Sequence, residues 1–405
     1  MLAMPQAAKN VLLIVFDYMG YGDIEPFGDG AIRTPNIRRL AEQGRCYTDF
    51  YGAAPICGPS RAAMLTGRYP RYLGIERNVE PGEPGLLSHE TSLPRYFRDA
   101  GFRTALYGKW HLGHDSDDSP MAHGFEEFLG FDYWNIDYYS HRTREGDPAL
   151  YQGSEIVERP GYTTDLFTDG ALDFIGRCGE ANEPFFLYLA YNAMLPPYAP
   201  PGREADFADR WVNGNRADYV AAVEYLDQSV GRVLDALERL GIAKETAVLL
   251  TYDHGGGELA TKGGFFHGFG TLWEGGIRVP MVLRWPGGVE PGSVSGEPAI
   301  IMDVTPTLLA TAGLQADRAL DGRSLLDDSQ ASERTLHWRI DLPGEGEDWL
   351  PRRQRALRRG PWKYLWDGTF DFLFDLSADP SERNDLGYQH PELIAELRGL
   401  AKGDW

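Results

Sequence analysis

The sequence predicts an α/β fold: a large, mostly parallel or mixed sheet flanked by helices, followed by a small antiparallel C-terminal subdomain. Three observations predict it. All-apolar runs of strand length recur along the chain, helical stretches alternate with them, and near residue 330 the pattern changes to closely spaced strands. Strand and helix in alternation argue for parallel strands covered by helices on both faces.

Val11-Leu-Leu-Ile-Val-Phe16 is a short all-apolar run, as expected of a strand buried on both sides. Thr34–Gly44 reads as a helix closed by Gly44. Thr91–Gly101 has a cap-like start, an early Pro and a terminal Gly. Arg103–Tyr107 then reads as a strand, Thr164–Arg177 as a helix and Phe185–Ala190 as a second buried strand. Over Arg216–Leu240, Tyr219, Val223, Leu226, Val230, Val233, Leu237 and Leu240 recur at steps of four and three, and Gly241 follows as the stop. Ala247–Tyr252 is the next strand. Thr335–Ile340, Gln354–Trp366 and Phe370–Leu376 read as strands of the small sheet, with a closing helix over Pro391–Leu400. The expected division is therefore 1–331 and 332–405. His114–Pro160, rich in Asp, Gly and Tyr, reads as irregular substrate loops.

The 405 residues, 42% hydrophobic and 24% charged, describe a folded chain with material for two or three domains, or for one layered unit with an appendage. Sixty acidic against 39 basic residues give a net charge of −21, which argues against a nucleic-acid partner. Three cysteines (Cys46, Cys57, Cys178) are too few, and odd in number, for a disulfide framework. The apolar runs are too short to span a bilayer, so no membrane partner is expected. The start, MLAMPQAAKN, shows no signal-peptide pattern. The chain as written reads as cytoplasmic, or as periplasmic or secreted if a leader has been removed.

One segment carries chemistry: Cys57-Gly-Pro-Ser-Arg61, followed by a helix-forming run to Leu65-Thr-Gly-Arg68. A lone Cys in such a place is often an inert buried thiol. Here a helix N-terminus aims free N–H groups beside it, which suits an anion, and Arg61 adds a fixed charge. Asp17, Lys109, His111, Asp253 and His254 each follow a predicted strand, and parallel sheets gather ligands at strand carboxyl ends. Singly, such an Asp is a turn or cap residue as readily as a ligand.

With these residues the sequence resembles the sulfatase family of the alkaline-phosphatase superfamily. Cys57-Gly-Pro-Ser-Arg61…Leu65-Thr-Gly-Arg68 matches the family signature. Thr34-Pro-Asn-Ile37, Gly108-Lys-Trp-His-Leu-Gly113, Gly161-Tyr-Thr-Thr-Asp165, Gly270–Pro280 and Asp375-Leu…Asp379-Pro-Ser-Glu382 match further motifs. The loop Asp137-Tyr-Tyr-Ser-His141 is most similar to the arylsulfatase-B-type branch.

The resemblance implies that Cys57 is oxidised to formylglycine by a formylglycine-generating or anaerobic sulfatase-maturing enzyme. It implies one divalent metal on Asp17, Asp253, His254 and an oxygen at position 57, Ca²⁺ first, with Mn²⁺ or Mg²⁺ as alternatives. His254 moves the balance toward Mn²⁺. Arg61 would hold the nucleophile, and Lys109 and His111 would contact sulfate. Taken alone, Lys109 also reads as a surface lysine and His111 as a turn histidine.

Three positions depart from the family pattern. Tyr18 stands where many members have a second Asp, Leu195 in Asn192-Ala-Met-Leu195-Pro196 replaces a His, and Phe269 replaces a Lys. His267 substitutes for that His and Lys or is structural. His141, Leu195, His267 and Phe269 are the expected substrate-side residues.

The expected reaction is hydrolysis of a small anionic sulfate ester or sulfamate, with an apolar aryl or cycloalkyl leaving group. A phosphonate monoester or phosphodiester hydrolase, and a non-catalytic binding protein, are the rival readings. The oligomeric state is left open.

Overall fold

The computed structural model describes residues 7–198, 200–202, 214–326, 334–342 and 352–402. The strands of the main sheet are β1 (Asn10–Phe16), β2 (Arg45–Tyr51), β3 (Arg103–Lys109), β4 (Glu127–Phe131), β5 (Tyr151–Gln152), β6 (Glu155–Ile156), β7 (Phe185–Ala190), β8 (Thr246–Tyr252), β9 (Arg278–Arg284), β10 (Ser293–Ser295) and β11 (Ala299–Ile300). Their order is β10-β2-β9-β8-β1-β7-β3-β4-β5-β6, with β11 beside β2. Strand β1 lies between β7 and β8, parallel to both, with Val11 opposite Phe186 on one side and Ala247 on the other. All seven of its residues are buried, which is why the run needs no polar alternation. Only β9, among the long strands of this core, runs against its neighbours β8 and β2. The sheet is therefore mixed, within the expected class.

Helices Thr163–Ala181 and Arg216–Arg239 pack on each other and cover one side of the sheet. Asn215 starts the second by accepting the Asp218 N–H. Its stripe from Tyr219 to Leu237 is buried as the spacing predicts, but Leu240, one residue past the helix, is exposed. Among the described residues no helix is long and apolar enough to cross a membrane.

The segment His114–Pro160 is not all irregular. Glu127-Phe-Leu-Gly-Phe131 forms β4, parallel to β3. Its glycine weakens the strand signal but is required by packing: a Cβ on Gly130 would lie 1.8 Å from the Gly108 carbonyl oxygen. Strand β2 was equally hidden, because Arg45 and Asp49 interrupt its apolar pattern. Asp49 is paired with Arg278 and Arg358.

The second sheet is the antiparallel β12 (Thr335–Leu342), β13 (Arg352–Arg359), β14 (Trp362–Trp366) and β15 (Asp371–Asp375). The expected division at 331/332 lies outside the described residues. Leu336, Trp338 and Ile340 alternate inward along β12 and join the core of the main sheet. Leu357, Tyr364 and Leu373, on the opposite side, pack against Leu397 and Ala401 of helix Pro391–Lys402.

A buried charge network joins the two sheets. Lys363 Nζ lies 2.8 Å from both Glu274 Oε1 and Glu382 Oε1, and the Tyr51 hydroxyl donates to Glu274 Oε2 at 2.8 Å. Burial works to raise the Glu274 carboxyl, but Lys363, Arg278 and Arg358 outweigh it and hold it low. For Glu382, burial and then the Glu274 charge overcome Lys363 and push it from the ordinary 4.5 up to about 7. A raised carboxyl binds its proton more tightly in the folded chain. Its contribution is therefore complete below pH 4.5 and is lost as pH rises to about 7. Glu382→Gln is expected to flatten that part of the stability–pH curve and to be at least as stable as wild type at pH values above 7. Glu274→Gln should instead cost about 3–5 kcal/mol at neutral pH, because it removes the buried anion that Lys363 and Arg278 share and leaves them only Glu382 and Asp49. Urea unfolding across pH checks both, and equal losses for the two variants would refute the assignment.

Candidate active site

The carboxyl ends of β1, β3 and β8 deliver Asp17, Lys109, Asp253 and His254 to one edge of the sheet, where helix Cys57–Thr66 begins. Every residue of that helix is buried, with Cys57 in its first position and Gly67 closing it at φ 69°. Ser60 pins the start to the sheet: its hydroxyl donates to the Asp253 carbonyl at 2.6 Å and accepts the Ala53 N–H at 3.2 Å. Asn78 accepts the Gly58 N–H at 2.9 Å. Gly108 lets β3 reach the site, since at φ 118° a Cβ there would meet the Ala190 carbonyl oxygen at 1.8 Å. Tyr18 and His111 both take left-handed backbone, at φ 61° and 56°, a conformation that non-glycine residues adopt at a cost and that clusters at functional sites.

Asp17, Cys57, Asp253 and His254 each offer one donor atom, and these lie within 4.8 Å of one another. Cys57 Sγ is 3.0 Å from His254 Nε2 and 3.6 Å from Asp17 Oδ1. His254 Nε2 lies 3.4 Å from Asp17 Oδ1 and 3.5 Å from Asp253 Oδ1. Behind them Arg61, fully buried, bridges the two carboxylates: Nε donates to Asp253 Oδ2 at 2.8 Å and Nη2 to Asp17 Oδ2 at 3.0 Å. Arg61 Nη1 donates to the Lys109 carbonyl and the Tyr188 hydroxyl, both at 3.1 Å, and Lys109 Nζ pairs with Asp17 Oδ2 at 2.8 Å. Each Asp thus gives Oδ2 to the cations and turns Oδ1 toward the cluster.

The electrostatics follow. Burial would raise the Asp17 carboxyl, but Lys109, His254 and Arg61 outweigh it and hold it well below the usual range. Asp253 is raised by burial and then by Asp17, against its cationic neighbours. Burial disfavours a charge on His254, yet Asp253, Cys57 and Asp17 raise it well above an ordinary histidine. The cluster therefore calls for a cation. The Gly255 carbonyl can only accept, so Nδ1 of His254 is a donor at 2.9 Å and the exchangeable position is Nε2. A proton and a metal ion compete for that lone pair, and the donor set fits a divalent ion. His111 differs: burial, then Lys109 and Arg61, push it well below the usual value, so it is neutral. Its buried Nδ1 has no partner among the described residues.

Cys57 opens onto a cavity of about 620 Å³. Tyr18, Ile56, Leu195, Pro196 and Phe269 form its apolar wall near the cluster, and Leu342 of β12 reaches in from the second sheet. The Phe269 ring lies 4.8 Å from the Tyr18 ring and 4.9 Å from the His254 ring. His141 and His267, expected on the substrate side, are not among the lining residues. His141 Nε2 is taken up by the Gly161 carbonyl at 3.0 Å, and His267 stacks between Phe266 and Trp273. The sequence reading missed Arg77, Asn78, Trp134 and Arg144 on the cavity wall. These sit on turns and loops with no periodic signal. Tyr188 could have been found, as a hydroxyl inside an otherwise apolar buried strand.

A cluster of donors at the carboxyl ends of parallel strands, beside a helix start, is an ion-handling site of the α/β type. The profile described as Sulfatase matches residues 9–314, and one described as N-sulphoglucosamine sulphohydrolase, C-terminal, matches 264–400. The chain belongs to the sulfatase family. It is 36% identical over 346 residues to the N-acetylgalactosamine-6-sulfatase of Homo sapiens, covering 78% of this chain and 65% of that relative. It therefore spans just under two thirds of that protein. The Steryl-sulfatase of Mus musculus is 33% identical, covering 97% of this chain and 81% of the relative. Among solved structures, Ps i-CgsB in complex with k-i-k-neocarrahexaose superposes with a TM-score of 0.88 at 29% identity, covering 99% of this chain and 93% of that one.

Proposed function

We propose that the chain hydrolyses a sulfate ester, with Cys57, converted to formylglycine, as the nucleophile-bearing residue and a divalent ion held by Asp17, Asp253, His254 and residue 57. The observation that carries this is the buried cluster in which Cys57, which opens onto the cavity, meets two carboxylates, an imidazole and two buried cations behind the cavity wall. The formylglycine hydrate supplies the attacking hydroxyl, and the ion neutralises sulfate charge. The chain's own groups do the positioning. Arg61 fixes both carboxylates by their Oδ2 atoms, so Oδ1 of each faces the reacting end. Lys109 holds positive charge at the same edge for an anionic substrate. Neutral His111 offers a hydrogen-bonding nitrogen for a hydroxyl at residue 57.

The leaving group is read from the wall. Leu195, Pro196, Tyr18 and Phe269 lie beside Cys57, and no histidine or lysine lines the cavity among the described residues. Leaving groups that need no strong acid, such as a phenolate or an amine carrying its own proton, suit it best. The relatives' names divide between a sterol and an amino sugar, and this wall favours the apolar choice. Burying apolar surface is favourable by about 25 cal/mol per Å². Each buried sugar hydroxyl left without a partner costs about 1–3 kcal/mol. Trp134, Tyr133 and Arg144 on the same cavity favour a sulfated saccharide as the second reading. A panel of aryl sulfates, alicyclic sulfamates and sulfated saccharides is expected to rank aryl or alicyclic substrates first by kcat/KM. Leu195→His or Phe269→Lys should move the ranking toward saccharides. Saccharides ranked first by wild type would defeat this choice of leaving group.

A further inference from the structure

Resting on the metal site just proposed, we infer that this chain's site is selective for a first-row transition ion of the Mn²⁺-to-Zn²⁺ class and discriminates against Ca²⁺, the ion the resemblance puts first. Ca²⁺ takes 6–8 oxygen ligands and relies on bidentate carboxylates to reach that number. Here bidentate binding is denied twice. Asp17 Oδ2 is held by Arg61 and Lys109 at 3.0 and 2.8 Å, and Asp253 Oδ2 by Arg61 at 2.8 Å. Asp17 Oδ2 is thus claimed by two cations and Asp253 Oδ2 by one, while Asp253 Oδ1 also accepts the His254 N–H at 3.0 Å, so neither carboxylate presents a free pair of oxygens to a bidentate ion.

The third donor is nitrogen. His254 Nε2 faces Oδ1 of both carboxylates and residue 57, with its tautomer fixed from behind by the Gly255 carbonyl. Imidazole adds little for Ca²⁺ and much for a borderline ion. Among the described residues no further His, Cys, Asp or Glu side chain joins these four donors. The Phe269 ring covers the His254 side, and Tyr18 meets the His254 ring edge-on at 6.2 Å between centroids. The two carboxylates are also offset by Arg61⁺ and Lys109⁺, which weakens the purely electrostatic attraction that a calcium site depends on.

The test reads binding rather than turnover. The full chain, stripped with a chelator, is dialysed against equal concentrations of Ca²⁺, Mn²⁺ and Zn²⁺, its metal content is measured, and each ion is titrated calorimetrically. We expect Mn²⁺ and Zn²⁺ to bind on the order of tenfold or more tighter than Ca²⁺. In protein whose residue 57 is formylglycine, His254→Asn makes the side-chain donors all oxygen and should narrow or reverse the gap. Ca²⁺ binding as tightly as Mn²⁺ in the wild type, or an unchanged ranking in His254→Asn, overturns the inference. If that variant does not fold, wild type loaded with Cu²⁺ provides the second reading. Its electron paramagnetic resonance spectrum should show nitrogen splitting from His254, and an all-oxygen spectrum overturns the inference. Binding is read without substrate, so an inactive protein with the expected ranking supports this inference and counts only against the reaction proposed above.

Discussion

Replacing Cys57 by Ala is expected to abolish turnover of an aryl sulfate, a fall of roughly four orders of magnitude or more, while leaving the fold intact. Sγ lies within hydrogen-bond reach of His254 Nε2 and Asp17 Oδ1, and Ala removes only this one atom from the edge of the cavity. Cys57→Ser should be equally inactive unless the host oxidises serine. The companion measurement is the mass of the peptide containing residue 57 from an active preparation. It should show sulfur replaced by oxygen, as an aldehyde or its hydrate. A fully active sample carrying only unmodified cysteine would contradict both the nucleophile and the proposed reaction.

The second large effect is structural. Arg61→Met should destabilise the chain by about 3–5 kcal/mol and remove metal binding with it. The side chain is fully buried, and its fork bonds Oδ2 of both Asp17 and Asp253. Without it two carboxylates and the Tyr188 hydroxyl are left in a dry interior with Lys109 as their remaining fixed cation. Lys in its place carries the charge but cannot bond both carboxylates in one plane, so Arg61→Lys should recover only part of the loss. Urea unfolding in the presence of chelator isolates the stability term. A loss under about 1 kcal/mol for Arg61→Met would show that the bridge contributes little.

How far these residues could be read from the sequence follows from their backbone. Asp17 was legible because it follows an uninterrupted apolar run, Asp253 and His254 because they follow the nearly apolar Ala247–Tyr252, and Lys109 because it follows the strand Arg103–Tyr107 within Gly108-Lys-Trp-His-Leu-Gly113. Cys57 was legible through the residues after it, since Gly58, Pro59 and Ser60 start a helix and Arg61 lies one turn on. Family and fold class followed from these. Strand β4 was not legible, because Gly130 is demanded by its neighbour β3 rather than by local preference. His141 was expected from its loop's resemblance to the arylsulfatase-B-type branch and His267 from lying two residues before Phe269; in the structure His141 bonds the Gly161 carbonyl and His267 packs against Phe266 and Trp273. Arg77, Trp134 and Arg144 reach the cavity from segments whose course is set by tertiary packing.

The order of strands in the main sheet also sets a timetable. Strands β1 and β2 are the first two in the chain but are not neighbours. The partners of β1 are β7 and β8, and those of β2 are β9, β10 and β11. As the chain leaves the ribosome, residues 10–51 emerge with none of their sheet partners, and Asp253 and His254 follow some two hundred residues after Cys57. Pairings so distant in sequence form late. In the finished protein Cys57 is only 3% exposed. Any enzyme or reagent that must seize the whole segment around this thiol has its opportunity during synthesis and loses it once β8 and β9 insert. A slow-folding variant would lengthen that interval, and a fast-folding one would shorten it.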